Sequence, residues 1–253
     1  MNVGLFVTCL VDLVRPEVGF ATVKLLEQGG CHVSIPEAQT CCGQPAFNSG
    51  DAATTRPIAE DVIRNFESFD YVVVPSGSCA GMIKTHYPEL FANDFQWQRR
   101  ALDLAEKTYE LTTFLTEVLQ VKLDTDVSNC TVTYHDSCSG LRELGIKQQP
   151  RSLLSMVDGC ELTELNEAEV CCGFGGTFCV KYAEVSGRIV DNKIDNVLAS
   201  RADNLLGGDM GCLMNIAGRL KRQGHSTRVF HIAEFLTGQI AGGGIAETDE
   251  AMS

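Results

Sequence analysis

The chain has 253 residues, 44% of them hydrophobic, and a formal net charge of −13. That acidic balance excludes a nucleic-acid binder, which needs a concentrated Lys/Arg surface, and it favours solubility. The opening apolar stretch Val3–Val7 has no basic residues before it and meets Asp12 and Arg15 soon after. It is therefore expected to be a buried strand rather than a signal peptide or membrane span. A cytoplasmic, reducing location follows, in which the twelve cysteines are not expected to form a disulfide framework.

In chain order, residues 3–8 read as a strand with Cys9 directly after it. Val18, Ala21, Leu25 and Leu26 give a helical stripe stopped by Gly29-Gly30. His32–Ile35 reads as a second strand, with Cys41-Cys42-Gly43 in the loop beyond. A helix from the 51–57 region to about Phe69 carries Ile58, Val62 and Phe66 on one face, and Tyr71–Val74 is an apolar run of the kind buried on both faces of a parallel sheet. Pro75–Ser78 then leads to Cys79.

The second half reads the same way. Thr131–Tyr134 is a strand leading to Cys138, Leu141–Val157 a helical segment, and Glu161–Leu165 a strand leading to Cys171-Cys172. Val190, Ile194, Val197 and Leu198 mark a helix, Asn204–Leu206 a weaker strand, and Gly211-Cys212 its loop. Both halves end in an apolar amphipathic segment, Leu111–Leu115 and Ile232–Leu236, and the first carries an insertion around Thr85–Lys107, with Trp97, expected as a helical hairpin over the core. The fold class predicted is α/β: two pseudo-symmetric repeats, each a small parallel sheet flanked by helices, with cysteines at the strand C-terminal ends. The expected boundaries are 1–125 for the first repeat, 126–241 for the second, and a disordered tail over 242–253, Gly-rich then acidic.

The duplication is clearest in the cysteines. Cys9, Cys41, Cys42 and Cys79 are spaced 32, 1 and 37 residues apart, and Cys138, Cys171, Cys172 and Cys212 are spaced 33, 1 and 40 apart. Matching positions recur at offsets of 129 to 133 residues, the mark of an internal repeat. Vicinal cysteines make poor disulfides, because a bridge between neighbours is strained and closes almost no loop. Strand ends of an open α/β sheet share one edge, so the fold itself would gather each set of four. Four soft thiolates suit an iron-sulfur cluster or zinc rather than magnesium or calcium. The adjacent pair favours a cluster, whose different irons two neighbouring thiolates can reach. An iron-sulfur cluster in at least one half is the expectation, with zinc or inert buried thiols as the alternatives. Glycine after each pair would let backbone amides approach the sulfides.

Four cysteines stand outside the pattern. Cys31 and Cys160 each lie 22 residues after the first ligand of their half; with Cys130 they sit at the opposite sheet edge and are read as structural thiols. Cys179 could reach the site, although a structural role is the reading preferred. His135, three residues before Cys138, is the best histidine candidate for proton transfer or for a ligand.

At these residues the sequence resembles the cysteine-rich CCG-domain proteins, the family of the cysteine-rich component of heterodisulfide reductase and of the iron-sulfur subunits of glycolate and glycerol-3-phosphate oxidation. The blocks are Val7-Thr8-Cys9, Cys41–Ala46, Asn48-Ser49-Gly50, Pro75–Cys79, Cys171–Phe178 and Gly211–Asn215, and they are similar in particular to those of the family's lactate utilization members. The resemblance implies a cytosolic iron-sulfur component of a three-protein, NAD-independent system oxidising L-lactate to pyruvate. Its partners would be a ferredoxin-type iron-sulfur protein and a third subunit. One departure stands out: where the wider family's motif ends in a further cysteine, this chain has Met82 and Asn215. Against the family's pattern, that favours one ordinary four-thiolate 4Fe-4S cluster per half, two in all, with zinc in one half left open, over the disulfide-cleaving kind. A heterodisulfide or thiol-disulfide reductase and a zinc-stabilised scaffold without redox chemistry remain the alternatives at this point.

Overall fold

A computed structural model of the chain describes residues 1–247. The first apolar segment forms β1 (Asn2–Leu5); the chain then runs through helices Cys9–Val14 and Pro16–Gln28 and returns beside β1 as β2 (His32–Ser34). After helix Ala52–Phe66, β3 (Tyr71–Val74) pairs on the other side of β1, and β4 (Thr108–Glu110) pairs with β3. The second half repeats the plan with β5 (Asp126–His135), β6 (Asp158–Leu162), β7 (Asn204–Gly207) and β8 (Arg228–His231). The two sheets have orders β2-β1-β3-β4 and β6-β5-β7-β8, and every pairing is parallel. The α/β duplication expected from the sequence is the fold observed. Each chain reversal beside the first strand leaves a crevice at the carboxyl ends, where such sheets place their sites.

Strand alternation decides which side chains meet. In β3, Val73 enters a core that continues into the second half through Val132, Leu205 and Phe235, while Val72 and Val74 face an outer layer with Phe6, Phe66 and Tyr87. The helix Pro16–Gln28 buries Val18, Ala21, Leu25 and Leu26, and packs against the last helix, Ile232–Leu236. The two repeats therefore share one interior. The insertion is a hairpin of helices Tyr87–Leu90 and Phe95–Lys107, reached through a π-helical turn at Met82–His86. Phe91 is buried under it and stacks on Trp97 at 5.7 Å.

Several expectations need correction. Each sheet has a fourth strand, β4 and β8, that the sequence does not announce; each is only three or four residues long and runs straight into the following apolar helix. The segment Leu141–Val157 is two helices, Cys138–Leu144 and Gln148–Leu154, because Gly145 closes the first with φ of 69°. β6 starts three residues earlier than expected, since its register pairs Cys130 with Cys160 and Val132 with Leu162. Cys160 is thus inside the strand instead of at its start. Part of the tail expected to be disordered from 242 is held: Ile245 is buried and its N–H donates to the Val229 carbonyl at 2.8 Å. Residues 248–253 lie outside the described residues. Among the described residues, no helix is long and apolar enough to cross a membrane.

Candidate metal centres

Every cysteine of the two sets follows a strand end. Cys9 and Cys138 are the first residues of helices Cys9–Val14 and Cys138–Leu144, capped by Thr8 and Ser137, whose hydroxyls accept from Val11 N–H and Gly140 N–H. Cys79 and Cys212, expected in loops, lie instead in the first turns of helices Gly77–Gly81 and Met210–Arg222, whose N-terminal caps are Ser76 and Asp209. The pairs Cys41-Cys42 and Cys171-Cys172 are in the loops after β2 and β6. Each pair is followed by a glycine in the left-handed region, Gly43 at φ 80° and Gly173 at φ 87°. A Cβ on Gly173 would stand 2.8 Å from the Ser186 carbonyl oxygen, so only glycine fits. The turn it permits aims the Gly173 N–H at Cys171 Sγ, 3.3 Å away.

The thiols are brought together. Cys9 Sγ lies 3.8 Å from Cys41 Sγ, and Cys42 Sγ 3.3 Å from Cys79 Sγ. In the second set Cys138 pairs with Cys171 and Cys172 with Cys212. Hydrogen bonds from Cys42 and Cys9 hold the Cys41 thiol far below its ordinary acidity range, while the same contacts, with burial, push Cys9 and Cys42 well above it. Cys138 and Cys172 act on Cys171 in the same way. Four ionised sulfurs this close repel, and full deprotonation calls for cations among them. The pair loops are tethered from the other side. Tyr87 donates its hydroxyl proton to the Cys42 carbonyl at 2.8 Å, and Asn215 donates from Nδ2 to the Cys172 carbonyl at 2.9 Å. Met82 is fully buried in the outer core, so neither position where a fifth thiolate would stand supplies a sulfur donor of that kind.

The first set lines a cavity of about 250 Å³ and the second a cavity of about 130 Å³. Gln44, Asn48, Ser78, Phe174 and Asp209 line both, so the two sites face each other across one shared wall. Asp209 carries no sequence motif. It is buried, and its carboxylate crosses between the halves to accept from Ser78 N–H at 2.8 Å and the Ser76 hydroxyl at 3.4 Å; burial raises its pKa above the ordinary carboxylate range. The one signal available is positional, since Asp209 precedes Cys212 as Ser76 precedes Cys79.

His135, at the end of β5, is brought to the second set: one of its ring nitrogens and the sulfurs of Cys172 and Cys212 all lie within 4.8 Å of one another. Burial, then the nearby Lys193 ammonium, depresses its pKa to about 3. Buried Lys193, equally unmarked in the sequence, holds the Glu167 carbonyl with Nζ at 2.6 Å. Asp136 next to His135 is pinned by a two-pronged contact from Arg151, at 2.9 Å each. The remaining cysteines stay apart. Cys179 is turned onto the Gly176 carbonyl, 3.2 Å away. Cys31 is buried before β2. Cys130 and Cys160 pair in register on the far sheet edge, burial raising Cys160 to about 11.

Eight thiols in two fourfold sets, each beside a cavity and each with backbone amides at one sulfur, are the donor complement of soft-metal or iron-sulfur binding. Fold and sites together define a duplicated parallel α/β protein with two four-cysteine sets suited to binding metal or an iron-sulfur group. The CCG cysteine-rich domain matches residues 3–84 and again 132–217, and the chain belongs to that family. It is similar over nearly its full length to lactate utilization protein A of Geobacillus sp. strain WCH70, with 52% identity over 236 residues covering 93% of this chain and 99% of the relative. The same-named protein of Macrococcus caseolyticus is 51% identical over 240 residues, covering 95% and 98%. That of Geobacillus kaustophilus is 53% identical over 237 residues, covering 93% and 98%. Among solved structures, a hypothetical protein from Helicobacter pylori superimposes with a TM-score of 0.60 at 13% identity, over 93% of this chain and 48% of that one. At that identity the likeness is one of fold.

Proposed function

We propose that this chain is the iron-sulfur electron-transfer component of a lactate utilization system, passing electrons from the NAD-independent oxidation of L-lactate to pyruvate. The observation that carries the reading is the pair of four-thiol sites facing one another across a shared wall, in a protein half identical along its length to lactate utilization proteins. Cys9, Cys41, Cys42 and Cys79 would hold one 4Fe-4S cluster, and Cys138, Cys171, Cys172 and Cys212 the other. Bound there, such clusters supply one-electron carriers whose potentials follow the hydrogen bonds and charges around their sulfurs.

The chain's own residues argue that lactate itself is oxidised elsewhere. A cation is the usual partner of a 2-hydroxy acid's carboxylate, and among the described residues no Lys, Arg or His lines either cavity, where the one carboxylate is Asp209. Two-electron oxidation also requires a flavin or similar acceptor, for which the sequence has no recognisable motif. Partner proteins would supply both. A mixed approach for one exists beside the first site, where exposed Leu13 and Ile35, with Asp12 and Glu37, frame a recess reaching Cys9 and Cys41. The loss of both fifth-thiolate positions, to buried Met82 and to Asn215 engaged on Cys172, disfavours a disulfide-cleaving centre.

The test is to mix anaerobically loaded protein with L-lactate, alone and with its partner subunits. Cluster reduction only when the partners are present supports the relay. Turnover of lactate by the isolated chain with an artificial acceptor overturns it.

A further inference from the structure

The two four-thiol sites are built on one plan, and one of their differences lies at the end of the strand that leads to the first thiol. Three residues before Cys138 stands His135, and three residues before Cys9 stands Phe6. Phe6 is fully buried in the outer core, its ring 5.4 Å from that of Phe66. His135 is 1% exposed, and neither of its ring nitrogens makes a well-formed hydrogen bond within the described chain; the nearest backbone acceptor is the Ala168 carbonyl. An orphaned buried polar group of this kind costs roughly 1 to 3 kcal/mol, so its retention calls for a partner the polypeptide does not provide. The Ala168 carbonyl beside the ring also receives Lys193 Nζ, at 3.4 Å. Within 4.8 Å of a ring nitrogen are also the sulfurs of Cys172 and Cys212.

The second set already offers four thiolates, the full complement of a 4Fe-4S cluster. A fifth donor is therefore surplus as a ligand and suited to bonding with a sulfur from outside. We propose that His135 gives a ring N–H to a cluster-bound sulfur of Cys172 or Cys212, and thereby sets the potential of the second centre above that of the first. The neutral imidazole has an N–H to give, and hydrogen bonds to sulfur stabilise the more negative, reduced state. Lys193, on the same side of the second set, adds positive charge in the same sense. Asp209 lies between the sites and lines both cavities, so it does not by itself distinguish them. The duplication thus has a direction: electrons entering at the first centre settle on the second. His135 is a positioning and tuning residue here, and the inference rests on the iron-sulfur reading above.

The experiment is an EPR-monitored redox titration of the full chain, anaerobically loaded, with iron content measured alongside. His135→Phe, which reproduces the first half's residue, is expected to leave iron content unchanged. It should shift electron distribution between the centres by at least about tenfold towards the first, equal to about 59 mV for a one-electron couple. His135→Gln, which keeps an N–H, should retain most of the wild-type difference, and Phe6→His should raise the first centre. Unmoved potentials in His135→Phe overturn the proposal. So does loss of the second cluster that His135→Cys restores, since that marks a ligand. A variant that fails to fold leaves a measurement on the wild type: with 15N-histidine, the reduced second centre should show weak nitrogen coupling of hydrogen-bond size, and its absence, or a coupling of ligand size, overturns the proposal. Absence of iron from the wild type defeats the iron-sulfur reading itself, whereas two clusters with indifferent potentials defeat this inference alone.

Discussion

The first and second halves place the same four thiols at the same strand ends, yet they surround them differently. Around the first set stand Phe6, the hydroxyl of Tyr87 on the Cys42 carbonyl, and the helical hairpin to Lys107. Around the second stand His135, buried Lys193, and the amide of Asn215 on the Cys172 carbonyl. In the proposed relay the repeated thiols bind and the divergent neighbours tune: duplication would give a pair of like centres, and substitution at their margins would make them unlike, as directional electron flow between two centres requires.

The largest way to break the comparison is to remove one centre. Cys42→Ser or Cys172→Ser should lose about half of the bound iron, with the other half's signal intact, because each set needs all four thiolates. Iron and sulfide analysis of each variant checks this. Next come the glycines after the pairs. Gly173→Ala meets both a left-handed backbone and the Ser186 oxygen at 2.8 Å, and should cost roughly 3 to 4 kcal/mol. Gly43→Ala meets the same backbone strain but only the Ile58 and Thr55 methyls at 3.3 to 3.4 Å, and should cost about 1 to 2 kcal/mol. Urea unfolding of the metal-free proteins ranks the two.

The two halves also differ in the residue that caps the helix after the last strand. Glu110 does so in the first half, accepting from Thr112 and Thr113 N–H at 2.8 and 3.2 Å, and burial raises its pKa from 4.5 to about 7. Its contribution is full below pH 4.5 and is lost as pH rises towards 7, since the folded state holds the proton more tightly than the unfolded one. His231 caps in the second half with Nδ1 accepting from Ala233 N–H, and burial lowers its pKa from 6.5 to about 4. Its contribution is full above pH 6.5 and is lost as pH falls towards 4. Each amounts to about 3 kcal/mol at most. Glu110→Gln should flatten the loss of stability on the neutral side of the pH profile, and His231→Asn the loss on the acid side; identical profiles for variants and wild type would falsify the assignment. The smallest effect is expected from Tyr87→Phe, which leaves the buried Cys42 carbonyl without its donor and should destabilise by about 1 kcal/mol, readable as a small drop in thermal midpoint.

The scaffold and the eight thiols are legible in the sequence because they are written in periodicities: a continuous Val72–Val74 run for a two-faced strand, a stripe from Val18 to Leu26 for a helix, and cysteines at strand ends twice over. What escapes is short or depends on tertiary contact. β4 and β8 carry three or four residues each, too few for alternation to register. Asp209 and Lys193 act across elements distant in sequence, so no local pattern marks them. His135 is visible as a candidate, but a lone histidine near a strand end is ordinarily structural. Only its burial without partners beside Cys172 and Cys212 separates it from that background.

The most direct test of the central claim is iron, sulfide and zinc analysis of anaerobically purified protein, with an EPR spectrum after reduction. Two clusters require about eight irons and eight sulfides per chain and two 4Fe-4S signals distinguishable by potential. Stoichiometric zinc without iron, persisting after anaerobic reconstitution, would contradict this and leave the eight cysteines as the fabric of a structural site.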